Sequence, residues 1–151
     1  MNYKISHPLK KINCEIKLPS SKSISNRLLI IQALCKEKFK IERLSDCDDT
    51  SYLKKSLNSK RKVINIGASG TAFRFMLTFL SIRQGSEYIL TGSKRIRERP
   101  IKELVDALNY LGANISYLNK KGYAPLKIIG NRFSKNKVSI NGDISSQFIS
   151  A

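Results

Sequence analysis

Val63-Ile64-Asn65-Ile66-Gly67-Ala68-Ser69-Gly70-Thr71-Ala72-Phe73-Arg74-Phe75-Met76-Leu77-Thr78-Phe79-Leu80 decides the fold class. A short apolar-rich strand runs into a loop of small residues, and a mostly buried helix follows. Strand, glycine loop and helix together let backbone N–H groups approach an anion, since Gly70 has no side chain to block it. The loop lacks the Gly-Lys-Ser/Thr of a Walker loop and the G-x-G-x-x-G of a dinucleotide fingerprint. A tight strand-to-helix turn with Thr71 as N-cap satisfies the same residues.

Upstream, Leu18-Pro19-Ser20-Ser21-Lys22-Ser23-Ile24-Ser25-Asn26-Arg27 places a proline-led turn and serines before a helix starting near Ser21 or Lys22. Ile24, Leu28, Ile31 and Cys35 recur at helical spacing and predict its apolar stripe. Ser23 and Arg27, four apart, share a face, with Lys22 beside them on the first turn. A hydroxyl, an ammonium, a guanidinium and free N–H groups at a helix start suit a phosphate, although a capped helix with solvated basic residues has the same pattern.

Downstream, Arg95-Ile96-Arg97-Glu98-Arg99-Pro100 leads into Ile101, Leu104, Val105, Leu108 and Leu111, one apolar stripe closed by Gly112. Pro100 suits the first helical position, which puts Arg97 and Arg99 at the helix entrance, with Glu98 placed to orient one of them. Arg95 reads as a surface residue. An exposed charged turn is the alternative. Finally Ser145-Ser146-Gln147 follows Lys137-Val138-Ser139-Ile140 and a turn at Gly142. Its hydroxyls and amide suit either a helix cap or a ligand bearing phosphate and hydroxyl groups.

Strands are expected near 13–18, 38–43, 62–66, 86–91, 114–118, 126–129 and 137–140. Helices are expected near 22–36, 48–58, 71–83 and 100–111. The alternation, ending in paired strands, predicts an α/β (α+β) chain of β-α-β-α-β-β units. The length, 151 residues, fits one domain or a large part of one. No apolar run approaches the ~18 residues of a membrane span, and no leader pattern is visible, so the expected location is cytoplasmic. Cys14, Cys35 and Cys47 are unclustered, and with His7 the only histidine they imply reduced thiols and no zinc. The net charge of +17 raises nucleic-acid binding as an alternative. The excess is scattered, however, at Lys10-Lys11, Lys36 to Lys40, Lys54-Lys55, Lys60 to Lys62 and Lys120-Lys121. With 19 Lys, 19 Ile and 11 Asn against 7 Ala, it has the composition an AT-rich genome imposes on solvated surfaces. Part of it serves to steer anionic ligands.

Leu-Pro-x-Ser-Lys-Ser-x-Ser-Asn-Arg, then Gly-x-x-Gly-Thr-Ala-x-Arg, then Glu-Arg-Pro-Ile with Leu-Val-Asp-Ala-Leu and Leu-Gly-Ala, then Ser-Ser-Gln-Phe, run in this order from about Cys14 to Ala151. Asp48-Asp49 and Tyr123-Ala124-Pro125-Leu126 add similar pieces. In these motifs the chain resembles the 3-phosphoshikimate 1-carboxyvinyltransferase (EPSP synthase) family. The sister UDP-N-acetylglucosamine enolpyruvyl transferases are less similar, having Lys-Asn where this chain has Lys22-Ser23, and a reactive loop cysteine with no counterpart here. One departure is Ala68, where the family has asparagine; Ser69 or the backbone is left to supply that contact.

The resemblance implies repeated βαβαββ units, three per domain, around an interdomain cleft. Residues 1–18 would be the first-strand region of one domain and 19–151 about two units of the other. The chain is less than half the family's length and would be its N-terminal portion, with a C-terminal half to partner it. The implied reaction moves the enolpyruvyl group of phosphoenolpyruvate to the 5-hydroxyl of shikimate 3-phosphate by addition and elimination, with no metal or organic cofactor. Lys22 would lie between both substrates, with Ser23, Arg27, Ser145 and Ser146 on shikimate 3-phosphate. Gly70 and Arg99 would hold phosphoenolpyruvate, and Gln147 would be close to both. The acid and base would lie in the other half, so the chain alone is expected to be inactive. An inactive remnant and a basic nucleic-acid-binding domain are the competing readings.

Overall fold

A computed structural model describes residues 3, 4, 6, 13–37, 39–141, 143 and 145–151. His7, Lys10, Lys11, Lys38 and Gly142, which enter the sequence argument, lie outside them. The chain runs α1 (Lys22–Leu34), α2 (Asp48–Leu57), β1 (Val63–Asn65), α3 (Gly70–Ser81), β2 (Glu87–Thr91), α4 (Lys94–Arg97), α5 (Lys102–Leu111), β3 (Asn114–Tyr117), β4 (Leu126–Ile129) and α6 (Ser146–Ser150).

The four strands form one sheet in the order β1-β2-β4-β3. β1 and β2 are parallel, with Ile64 opposite Leu90, and α3 is the crossover that parallel pairing requires. β4 runs antiparallel to both neighbours, pairing Leu126 with Leu90 and Ile128 with Ile115. Residues 63–129 are thus one complete β-α-β-α-β-β unit, with the short α4 inserted before its second long helix.

α3 is the centre of the molecule. Ten of its twelve residues are buried, because α1 and α2 pack against it as well as the sheet strands β2 and β4. Ile64, Leu90, Ile115, Leu126 and Ile128 supply the sheet side of this core, while Glu87 and Lys127 pair at 3.1 Å across β2 and β4. Ser69 Oγ accepts from Ala72 N at 3.1 Å, so Ser69 caps α3 and Thr71 lies inside the helix. Gly112 ends α5 at φ 113°, the left-handed cap expected of it.

Three expectations fail. Pro100 is not the first residue of α5; Ile101 is the N-cap and Pro100 precedes it. The expected stripe of α1 faces solvent, with Ile24 61% and Ile31 49% exposed, and the buried face is Ser25, Asn26 and Leu29. Hydrogen bonds explain the inversion: Ser45 N donates to Ser25 Oγ and Thr50 Oγ1 donates to Asn26 Oδ1, both at 2.9 Å. Partners in the segment leading into α2 and in its first turn satisfy Ser25 Oγ and Asn26 Oδ1 in the core. Residues 13–18, 39–43 and 137–140 belong to no strand. Their alternating pattern predicts a face but supplies no neighbour to pair with, and Ile16 and Leu18 stand 71% exposed. The described residues therefore hold one complete unit, preceded by two helices without paired strands. No described helix is long and apolar enough to cross a membrane.

Tyr117 offers a test of the β3 side. Its buried hydroxyl has no hydrogen-bond partner among the described residues. Burial, with Asp106 and Glu103 adding in the same direction, pushes its pKa up to about 12. A phenol whose folded pKa is raised contributes stability that is complete below about pH 10 and lost as pH rises towards 12. Tyr117→Phe should therefore leave stability at pH 8 unchanged or higher, since an unpaired buried hydroxyl is removed. It should also lessen the fall between pH 10 and 12, as read by urea unfolding of both proteins. An equal fall in both would refute the assignment.

Candidate functional site

The carboxyl ends of the parallel strands β1 and β2 lie side by side, the place where open α/β sheets take ligands. The loop after β1 is pinned there. Asn65 Oδ1 accepts from Gly67 N at 2.9 Å and Gly67 O accepts from Ser93 N at 2.8 Å. Gly67 has φ 61°, and any Cβ on it would run into the Tyr52 ring, so the position demands glycine on both counts. The loop delivers Gly70 as the first residue of α3, whose opening N–H groups have no carbonyl partner within the helix.

A cleft of about 320 Å³ opens at this point. Lys22 enters it from α1, Asp49 from α2, Gly70 and Arg74 from α3, Arg95 and Arg99 from the segment after β2, and Gln147 from α6. A Cβ placed on Gly70 would lie 2.5 Å from Arg99 Nη1 and 3.0 Å from Arg74 Nη1, so two guanidinium groups rest on the bare glycine. Asp49 is the carboxylate in the lining, and its Oδ2 is 3.2 Å from Lys22 Nζ. Among the described residues, Arg74, Arg95 and Arg99 have no carboxylate partner. Burial holds the Arg74 guanidinium below its ordinary pKa, and Arg99 beside it acts in the same direction. Like charges gathered without counterions at a helix start make an anion site.

α6 closes one side through Gln147. Arg74 Nη1 donates to Gln147 Oε1 and Gln147 Nε2 donates to Thr71 Oγ1, each at 3.0 Å. Ser145 Oγ caps α6 by accepting from Gln147 N at 3.2 Å.

Of the residues singled out in the sequence, Lys22, Gly70, Arg99 and Gln147 line the cleft, while Ser23, Arg27, Ser145 and Ser146 lie outside its lining. Arg27 reaches α6 instead. Its Nη1 donates to Ser23 O and its Nη2 to Ser150 Oγ, both at 3.1 Å, and it lies 5.6 Å from the Phe75 ring centroid. Among the described residues its hydrogen-bond partners are a carbonyl and a hydroxyl, with no carboxylate.

Arg95 is exposed, as expected of a surface residue, and it also lines the cleft. Two local expectations need correcting. Glu98 orients neither arginine, lying 4.0 Å from Lys94 at an exposed position. Ser69 makes no compensation for Ala68: it is 2% exposed and occupied as a helix cap, while the Ala68 methyl lines the cleft. Arg74 is the residue sequence reasoning missed. Its signal was an arginine four residues after Gly70 in an otherwise apolar helix, on the same face as the glycine.

A wider groove of about 860 Å³ runs between α5 and residues 137–141. Glu103 and Asp106 line it together with Val138 and Ile140, and it gathers no comparable set of cations.

The family model for EPSP synthase (3-phosphoshikimate 1-carboxyvinyltransferase) matches residues 6–59 and 50–151. A 3-phosphoshikimate 1-carboxyvinyltransferase of Bacteroides fragilis is 46% identical over 151 residues, covering all of this chain and 36% of the relative. One from Colwellia psychrerythraea is 40% identical over 171 residues, covering 96% of this chain and 40% of the relative. The solved EPSP synthase from Acinetobacter baumannii superposes with a TM-score of 0.80 at 19% identity, over 89% of this chain and 36% of that one. The chain therefore spans about 36–40% of the length of these proteins. Motif order, fold and family match agree, and the chain belongs to the EPSP synthase family.

Proposed function

We infer that this chain supplies one wall of an enolpyruvyl transferase site. The reaction moves the enolpyruvyl group of phosphoenolpyruvate to the 5-hydroxyl of shikimate 3-phosphate and releases phosphate. The observation that carries this reading is the convergence of Lys22, Arg74, Arg95 and Arg99 around bare Gly70, with Asp49 as the opposing carboxylate. Such a cleft favours a small, multiply charged anion over a neutral or cationic ligand. Phosphoenolpyruvate, with a phosphate and a carboxylate on three carbons, is of that kind. Gly70 and Arg99 hold it, with Lys22 between the two substrates.

Shikimate 3-phosphate falls to Ser23, Arg27, Ser145 and Ser146. The Arg27 to Ser150 hydrogen bond supports this grouping, because it joins the α1 face that carries Ser23 to the helix that follows Ser145. Gln147, linked to Thr71 on the other side, lies between the two groups. Catalysis in such a site is alignment of two anions and neutralisation of their charge, through addition and then elimination. In this reading residues 1–18 belong to one domain and 19–151 to the other, and a second wall faces the cleft.

The test compares phosphoenolpyruvate titrations of wild type, Arg99→Lys and Arg95→Lys. Lysine keeps the charge but loses the planar fork. Arg99, lying on Gly70, should lose about tenfold in affinity, the weight of one charge-assisted hydrogen bond, and Arg95 should lose less. A larger loss at Arg95 would transfer the ligand role to it. Wild type with no affinity for phosphoenolpyruvate would sink the reading as a whole.

A further inference from the structure

We propose that Arg74 is a positioning residue, which fixes the Gln147 side chain so that its amide presents a donor, not an acceptor, to the bound anion. The inference rests on the functional reading above and adds a named cause for the state of one cleft residue.

Arg74 is 9% exposed, and its Nε has no hydrogen-bond partner among the described residues. Its Nη1 donates to Gly70 O at 3.1 Å and to Gln147 Oε1 at 3.0 Å. A guanidinium has only donors, so it engages the oxygen end of a neighbouring amide and opposes the nitrogen end. Nε2 is thereby turned to Thr71 Oγ1, at 3.0 Å. That bond uses one of two N–H groups. The second is left for the cleft that Gln147 lines.

Turned over, the amide would set NH2 against the guanidinium and offer lone pairs to an anion, which is unfavourable on both sides. Arg74 also lies 5.1 Å from the ring centroid of Phe148, the residue that anchors α6 in the core. It therefore holds two consecutive residues of α6 from more than seventy positions away. A buried guanidinium with no carboxylate contributes little to folding that an apolar side chain would not. Its place is explained by what it orients.

The test is an NMR titration of the 15N-labelled chain with phosphoenolpyruvate, for wild type, Arg74→Met, Gln147→Leu, the double variant and Arg74→Lys. Arg74→Met and Gln147→Leu should each weaken binding by about 10–100-fold, as expected for a lost hydrogen bond to a charged group. The double variant should lose clearly less than the sum of the two single losses, because Arg74 acts mainly through that amide and otherwise only through its charge at a distance. Arg74→Lys, which keeps a donor, should recover most of the loss. The two Gln147 side-chain N–H resonances should be displaced from free-glutamine positions in wild type and move towards those positions in Arg74→Met without any ligand.

Additive losses in the double variant would mean that Arg74 touches the anion itself, and the proposal would fall while the functional reading stood. Absence of phosphoenolpyruvate-dependent shifts in wild type would instead sink the functional reading. Should Arg74→Met not fold, Gln147→Glu decides. Arg74 would hold the new carboxylate in place facing the anion, so binding must fall well below that of Gln147→Leu, and equal affinities would overturn the proposal.

Discussion

Gly70→Ala should remove most phosphoenolpyruvate affinity while leaving the fold intact. Gly70 is the first residue of α3, and its φ is not in the left-handed region that favours glycine. Alanine is the better helix former there by up to ~1 kcal/mol, so the melting temperature should hold or rise slightly. The new methyl would lie 2.5 Å from Arg99 Nη1 and 3.0 Å from Arg74 Nη1. Both are ends of long side chains, so they move and the helix does not. Displacing the Arg99 donor, worth about 1.5–3 kcal/mol when fully made, and disturbing the Gln147 amide that Arg74 holds together predict a loss of about 2–4 kcal/mol. Calorimetric titration with phosphoenolpyruvate, paired with thermal melts of both proteins, separates the outcomes. Full affinity in a normally folded Gly70→Ala would show that the ligand does not approach this glycine.

What the chain reveals before its structure is known divides along a physical line. α3, α5 and the β1–β2 and β3–β4 segments are legible because their apolar periodicity is answered by burial: Leu104, Val105 and Leu108 are all in the core. α1 is placed but rotated. Its apolar residues occur on more than one side, and the choice of face is made by Ser45 and Thr50, some twenty residues away. Residues 13–18 carry a strand pattern with nothing in the described chain to pair it. Periodicity records a preference for a face; hydrogen-bond partners supplied from elsewhere decide whether that preference is met.

The same division runs through the cleft. Lys22, Gly70, Arg99 and Gln147 are recognisable as local motifs, since each sits at a turn or helix entrance whose chemistry can be read in a few residues. Arg95 and Arg74 are not, because their value comes from distant neighbours. Arg95 looks like any basic surface residue until the turn of α4 directs it to the glycine loop. Arg74 gains its partner Gln147 only when α6 docks on α3.

Lys22→Met should weaken phosphoenolpyruvate binding more than loss of one contact predicts, because it also unmasks Asp49. Lys22 Nζ and Asp49 Oδ2 are 3.2 Å apart, with side chains 50% and 24% exposed. A pair this open adds at most about 1 kcal/mol to folding, so the variant should remain folded. In the cleft the consequences are larger and have the same sign. The anion loses an ammonium, and it now faces a carboxylate whose countercharge is gone. Breaking a charge pair within a complex typically costs about 2–5 kcal/mol, or about 30- to several-thousand-fold in affinity. Lys22→Met/Asp49→Asn removes the repulsion but not the lost contact, so it should regain about tenfold over Lys22→Met. Asp49→Asn alone frees the ammonium and should bind at least as tightly as wild type. All of these differences should shrink as salt is raised. If the double variant binds no better than Lys22→Met, Asp49 does not face the anion and serves only to hold α2 against α1.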